Sequence, residues 1–291
     1  MKFQHFQFFS RFILVQDMEQ DNKGWLIEYR NVCKRSPTWK PVMKMDKAHK
    51  YFLCKYQTQP LTFYCAVSKN KYKNIIKKGF GELEDFPRFF PSPLFEKKTH
   101  DIILVCLSSN MSVKSTDIVI VGRFNEITKS SAFQKTITDA QKIMKNKELY
   151  GYTLSKDVMN TNKQNAILAY HGTYKWRFNQ IMKNNYFGRE IYNEHVNSFE
   201  GTYFYLKPFS SYTFAKIYPN KYSDSLQASD IIVNIIIVSK PSPWNGRWKD
   251  KMASYKRNGK YLYDISIGED EIRTYDNKKT YIIGTISEIN T

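Results

Sequence analysis

Four short clusters in the C-terminal half carry residue types that could work together on one ligand. They are Tyr170-His171-Gly172-Thr173, Gly201-Thr202-Tyr203-Phe204, the stretch Ser210 to Phe214, and the acidic run Glu269-Asp270-Glu271. Gly172 has no side chain, so its backbone N–H and C=O can approach a planar amide closely, and the Ser211 hydroxyl can complete that recognition. Tyr203 offers one aromatic wall of a slot for a flat, cationic ring. Phe214 offers the opposite wall, with Tyr212 and Tyr218 as alternatives. A carboxylate beside a breaking glycosidic bond stabilises the positive charge that develops on the sugar. Together these groups would grip a ring by its face and its amide and let it depart. No glycine-rich phosphate loop, Ser-His-Asp order or metal-ligand cluster competes with that chemistry.

The elements that must position these groups can be read from the pattern. Ile167 to Tyr170 is a short apolar strand running into His171-Gly172-Thr173. Trp176 to Asn184 follows with Phe178, Ile181 and Met182 at helical spacing. Gly201 to Leu206 is a second strand, and Ser210 to Ala215 starts another helix. Ile231 to Val238 is a β-branched run broken only by Asn234, as a strand covered on both faces would be. Trp244 to Gly259 is basic and aperiodic and reads as a loop. Ile272 to Tyr275 and Tyr281 to Ile286 are the last strands, with Asp276 to Lys279 as the turn between them.

In order and spacing, the first two clusters and the serine pair resemble the His-Gly-Thr and Gly-x-Tyr-Phe motifs of the PARP-like ADP-ribosyltransferases, particularly mono-ADP-ribosylating members. The resemblance covers about Ala166 to Ile289. It implies a split-sheet transferase domain that uses NAD⁺ as substrate and no metal. His171 would hydrogen-bond the adenosine-side ribose. Gly172, Thr173, Tyr203, Ser211 and Phe214 would complete the NAD⁺ site, with Ser211 assigned ahead of Ser210. The third catalytic position falls on Glu271, or on Asp270 if the alignment shifts by one. The family often has Tyr where Phe214 stands, and mono-transferases often lack the acid.

The first half echoes the same rhythm: a strand at Leu61 to Cys65, a helix at Lys71 to Lys78 ending at Gly79-Phe80, and a strand at Asp101 to Leu107. Shifted by 106 positions, Ile75-Ile76-Lys77-Lys78 falls on Ile181-Met182-Lys183-Asn184 and Cys65 falls on His171. The chain therefore reads as α+β, with an N-terminal α+β domain over 1–128 that is either a degenerate duplicate or an unrelated unit. A partly helical connector spans 129–165, and the transferase domain spans 166–291.

A net charge of +18 will attract polyanions. A protein acceptor is expected, with nucleic acid as the alternative. The basic loop from Ser239 to Lys260, with Trp244, Arg247, Trp248 and Arg257, is either an acceptor surface or a solvated loop. The four cysteines, Cys33, Cys54, Cys65 and Cys106, have no zinc or redox spacing, so free thiols and an intracellular setting are expected. No apolar run is long enough to span a bilayer.

Overall fold

A computed structural model describes residues 37–57, 60–81, 89–90, 93, 99–108, 114–127, 149–150, 165–173, 175–184, 187, 202–206, 230–238, 256–257, 260–261, 265–267, 271–274 and 280–289. Their elements are α1 (Met45–Tyr56), β1 (Leu61–Ser68), α2 (Lys69–Lys78), β2 (Phe89–Phe90), β3 (His100–Leu107), a 3-10 turn (Ser115–Asp117), β4 (Ile118–Glu126), β5 (Leu149–Tyr150), β6 (Asn165–His171) and α3 (Lys175–Asn184). There follow β7 (Thr202–Tyr205), β8 (Ile231–Val238), β9 (Lys256–Arg257), β10 (Lys260–Tyr261), β11 (Ile265–Ile267), β12 (Glu271–Thr274) and β13 (Thr280–Ser287).

The β-branched and aromatic runs give strands because such side chains pack well on a pleated, buried surface. Both halves feed one eleven-stranded, mainly antiparallel sheet, ordered β11-β12-β7-β6-β8-β13-β4-β3-β1-β2, with β5 lying parallel to β6. With the three α-helices among the described residues this is a mixed α+β structure. β8 is buried on both faces, as its composition predicts.

The halves repeat one unit. In the first, β1 pairs with β2 and β3, leads into α2, and β3 pairs with β4. In the second, β6 pairs with β7 and β8, leads into α3, and β8 pairs with β13. Registers agree: Cys65 lies opposite Ile103 and His171 opposite Ile232, while Tyr64 lies opposite Leu104 and Tyr170 opposite Val233. Even the irregularity recurs. Val121 and Ile283 are the extra residues of equivalent β-bulges, each followed by a glycine, Gly122 or Gly284. The bulged segments read Ile-Val-Gly-Arg-Phe-Asn-Glu-Ile (120–127) and Ile-Ile-Gly-Thr-Ile-Ser-Glu-Ile (282–289).

β4 and β13 join the units about a local two-fold. Their pairing centres on Phe124 opposite Ile286, flanked by Arg123 opposite Ser287 and Asn125 opposite Thr285. Equivalent residues meet across this axis. The Tyr64 hydroxyl donates to the Tyr170 hydroxyl at 3.0 Å on one face, and Asn125 Nδ2 donates to Ser287 Oγ at 2.9 Å. Ile289 packs into the core of the first unit and Ile127 into that of the second.

β1 and β6 stand five strand spacings apart, roughly 24 Å if the sheet were flat. Two tyrosine side chains cannot bridge that span, so the sheet coils around the core that holds Tyr64 and Tyr170. α1 caps the same core with Met45, Ala48, Tyr51 and Phe52. It is tied down by Met45 N–H to Glu288 Oε1, Tyr51 hydroxyl to Thr116 O, and Tyr56 hydroxyl to the Asp117 carboxylate. On the outer face, α2 and α3 cover separate cores, one per unit.

Several features differ from the sequence expectations, among them strand β5 inside the connector read as partly helical. α1 and β4 were not anticipated, and part of the loop read over Trp244 to Gly259 contributes to a short hairpin, Lys260 opposite Arg257 and Tyr261 opposite Lys256. Cys65 and Cys106 are buried free thiols, but Cys54 is disulfide-bonded rather than free. No helix among the described residues is long and apolar enough to cross a membrane. The expected helix from Ser210 to Ala215 lies outside the described residues, as does most of the connector over 129–165.

Candidate active site

His171 is the last residue of β6, where the chain leaves the sheet for the start of α3. Its ring is 7% exposed and lies against two others. Phe187 meets it edge-on at 5.1 Å between centroids, Phe204 is tilted at 5.5 Å, and the two phenyl rings pack edge-to-face at 5.0 Å. Burial, assisted by the nearby Arg177 guanidinium, lowers the imidazole pKa to about 3. The ring is therefore neutral at physiological pH, with one nitrogen as donor and the other as acceptor. That suits a fixed hydrogen-bonding group better than a proton shuttle, which needs a pKa near the working pH.

The neighbouring strands set the other positions. Glu271 opens β12 opposite Tyr205, and Tyr205 of β7 lies opposite Tyr170 of β6. Tyr203 lies opposite Arg273. One row of the sheet thus carries Ile272 and Phe204, the residue packed on His171. Positions 271 and 203 fall one residue to either side of that row. The sheet brings the backbones of the three expected catalytic positions onto adjacent strands, out of step by one residue. Gly172 and Thr173 follow directly, and both are buried. Ser211 and Phe214, together with Ser210, Tyr212, Tyr218, Asp270, Trp244, Arg247 and Trp248, lie outside the described residues. No group of three or more His, Cys, Asp or Glu side chains suited to a metal occurs among the described residues.

No protein-family model matches the sequence, and no curated protein matches it. The chain's own first unit offers a comparison. Cys65 occupies the place of His171, beside Phe80 and Phe89, which pack edge-to-face at 5.9 Å as Phe187 and Phe204 do. Both units hold the ring pair, and the second holds the imidazole.

Sequence reasoning missed Phe187 and Arg177 and left Phe204 without a role. Phe204 was legible as the last residue of the Gly-x-Tyr-Phe cluster. Phe187 was legible only through its counterpart, since Phe80-Gly81 and Phe187-Gly188 each follow the helix of their unit.

Proposed function

We propose that the chain is a mono-ADP-ribosyltransferase of the PARP-like type, moving ADP-ribose from NAD⁺ to a macromolecular acceptor and releasing nicotinamide. What supports this reading is a neutral, ring-clamped His171 at the end of β6, with the backbones of positions 203 and 271 on the next two strands, each one residue out of step with the row of His171. In this reading His171 holds a ribose hydroxyl and moves no proton. Gly172 backbone, Thr173 and Ser211 engage the polar edges of the donor, and Tyr203 and Phe214 sandwich the pyridine ring. The glycosidic C–N bond breaks with its electron pair going to the nicotinamide nitrogen. Glu271 faces the positive charge left on the ribose, and the acceptor's nucleophile forms the new bond and gives its proton to solvent. The same reading gives the second unit the split-sheet fold of that family, with a protein acceptor.

Incubation of the full chain with ³²P-labelled NAD⁺ tests it. Label should transfer to the chain or to an added protein, and both His171→Ala and Tyr203→Ala should abolish it; label that survives both substitutions refutes the site. The charge of +18 favours one second reading, a transferase directed at nucleic acid. Adding DNA or RNA to the same reaction and locating the label separates the two.

A further inference from the structure

The two units provide an internal control: one scaffold, two sets of side chains on the face covered by the unit's helix. At four equivalent places the first unit is apolar or a thiol and the second is polar. Cys65 matches His171, Val105 matches Asn234 and Ile118 matches Thr280 by the shared registers, and Val67 matches Thr173 by the same 106-residue offset in sequence. In the second unit three of these residues form a diagonal across neighbouring strands. His171 is opposite Ile232, Asn234 is two residues on in β8 and opposite Ala169, and Thr280 is two further rows on in β13, opposite Ile236.

Asn234 sits at the middle of that diagonal and is fully buried, at 0% exposure. Its Nδ2 donates to Ile232 O at 3.2 Å and more weakly to Ala169 O at 3.5 Å. Its Oδ1 is buried and accepts from no group among the described residues, and the same holds for Thr280 Oγ1. A buried acceptor left unmade costs stability, and a valine at the same point of the same scaffold would avoid that cost. The first unit has that valine. In β6 Ala169 stands opposite Asn234, whereas in β1 Phe63 stands opposite Val105. A fold that needs no amide at this point carries one only where the imidazole is also present.

We propose that Asn234, with Thr280 beside it, extends the His171 site into a polar ligand-binding floor beneath α3, its Oδ1 accepting a hydrogen bond from a hydroxyl or amino group of the bound nucleotide. This rests on the donor-binding reading above.

The test exchanges the two units' residues in the full chain. Asn234→Val should raise the thermal midpoint by a few degrees and weaken NAD⁺ or ADP-ribose binding, measured by titration calorimetry, at least tenfold. The reverse change, Val105→Asn, should lower the midpoint and leave binding unchanged. A structural asparagine behaves in the opposite way. If Asn234→Val lowers the midpoint, or binds with wild-type affinity, the inference is overturned while the donor-binding reading stands. Absence of binding by the wild-type chain overturns the donor-binding reading, and this inference with it. Thr280→Ile, introducing the first unit's residue, should weaken binding without lowering the midpoint, and a loss of stability there excludes Thr280 from the floor.

Discussion

Replacing Gly284 by alanine puts a methyl group into the axis that joins the two units. An ideal Cβ there would stand 2.4 Å from both Cε2 and Cζ of Phe124 and 2.6 Å from the Asn125 carbonyl oxygen. The carbonyl belongs to the paired strand and cannot retreat without opening the β4–β13 ladder, and the Phe124 ring is itself buried and packed on Tyr64. Overpacking of this kind costs about 1–3 kcal/mol, and a backbone clash puts the cost at the upper end, near 3 kcal/mol. For a chain of this size that is a drop in Tm of about 5 °C. The dyad-related Gly122→Ala meets the Ile286 Cγ2 methyl at 2.7 Å and the Ser287 carbonyl oxygen at 3.0 Å, a milder clash that should cost about half as much. Urea denaturation of Gly284→Ala, Phe124→Leu and the double variant gives the decisive measurement. Phe124→Leu trims the ring, so the double variant should be less destabilised than the two single costs added together. A neutral Gly284→Ala, or strict additivity, would mean that Phe124 and Gly284 are not in contact and that the units are not joined as described.

The lowered His171 pKa makes stability depend on pH. The unfolded imidazole binds a proton below about pH 6.5 and the folded one only near 3, so this contribution is complete above 6.5 and is lost progressively as pH falls between those values, by up to about 1.4 kcal/mol per pH unit. His171→Gln should flatten that slope in denaturation curves taken from pH 7 to 4; an unchanged slope contradicts a buried neutral ring. Tyr64→Phe removes the hydroxyl bonded to Tyr170, whose own hydroxyl stays buried, and should cost about 1–2 kcal/mol, with the Tyr64→Phe/Tyr170→Phe pair costing less than the sum. Asp117 accepts from the Lys114 backbone N–H and the Tyr56 hydroxyl and is approached by Lys55, so Asp117→Ala should destabilise by about 2–3 kcal/mol and accelerate hydrogen exchange in α1 first.

Strands announced themselves wherever one residue's environment decides its type. Ile231–Val238 is covered on both faces and reads as an unbroken apolar run, so its limits were plain. The strand and helix ending at Lys78 and their counterparts ending at Asn184 were legible for the same reason. β4 is as apolar as β8 over Ile118–Val121, yet its second part alternates through Gly122, Arg123 and Asn125 because only one face there is covered. Its meaning is relational: it pairs with a strand more than 150 positions away, which no local pattern encodes. α1 is weakly amphipathic in sequence and exists because it has a core to cap. At the site, His171 was legible from its flanking residues. Its ring partners were not, because a phenylalanine on a buried face is indistinguishable in sequence from any other core residue. Asn234 did stand out, as the break in an isoleucine run, but its weight appears only when Val105 is seen at the same point of the other unit.

The coiled sheet also dictates an order of assembly. β13 lies in the middle of the sheet but late in the chain, so while the polypeptide emerges from the ribosome, the first unit presents the outer half of β4 as an open, hydrogen-bond-hungry edge. Until residues 280–287 arrive, a strand of another nascent chain can dock there, including another copy of β4, whose Ile-x-Gly-x-apolar pattern is shared with the partner it awaits. A chain truncated before β13 is expected to leave that edge unpaired and to self-associate, which size-exclusion chromatography of the truncated product checks.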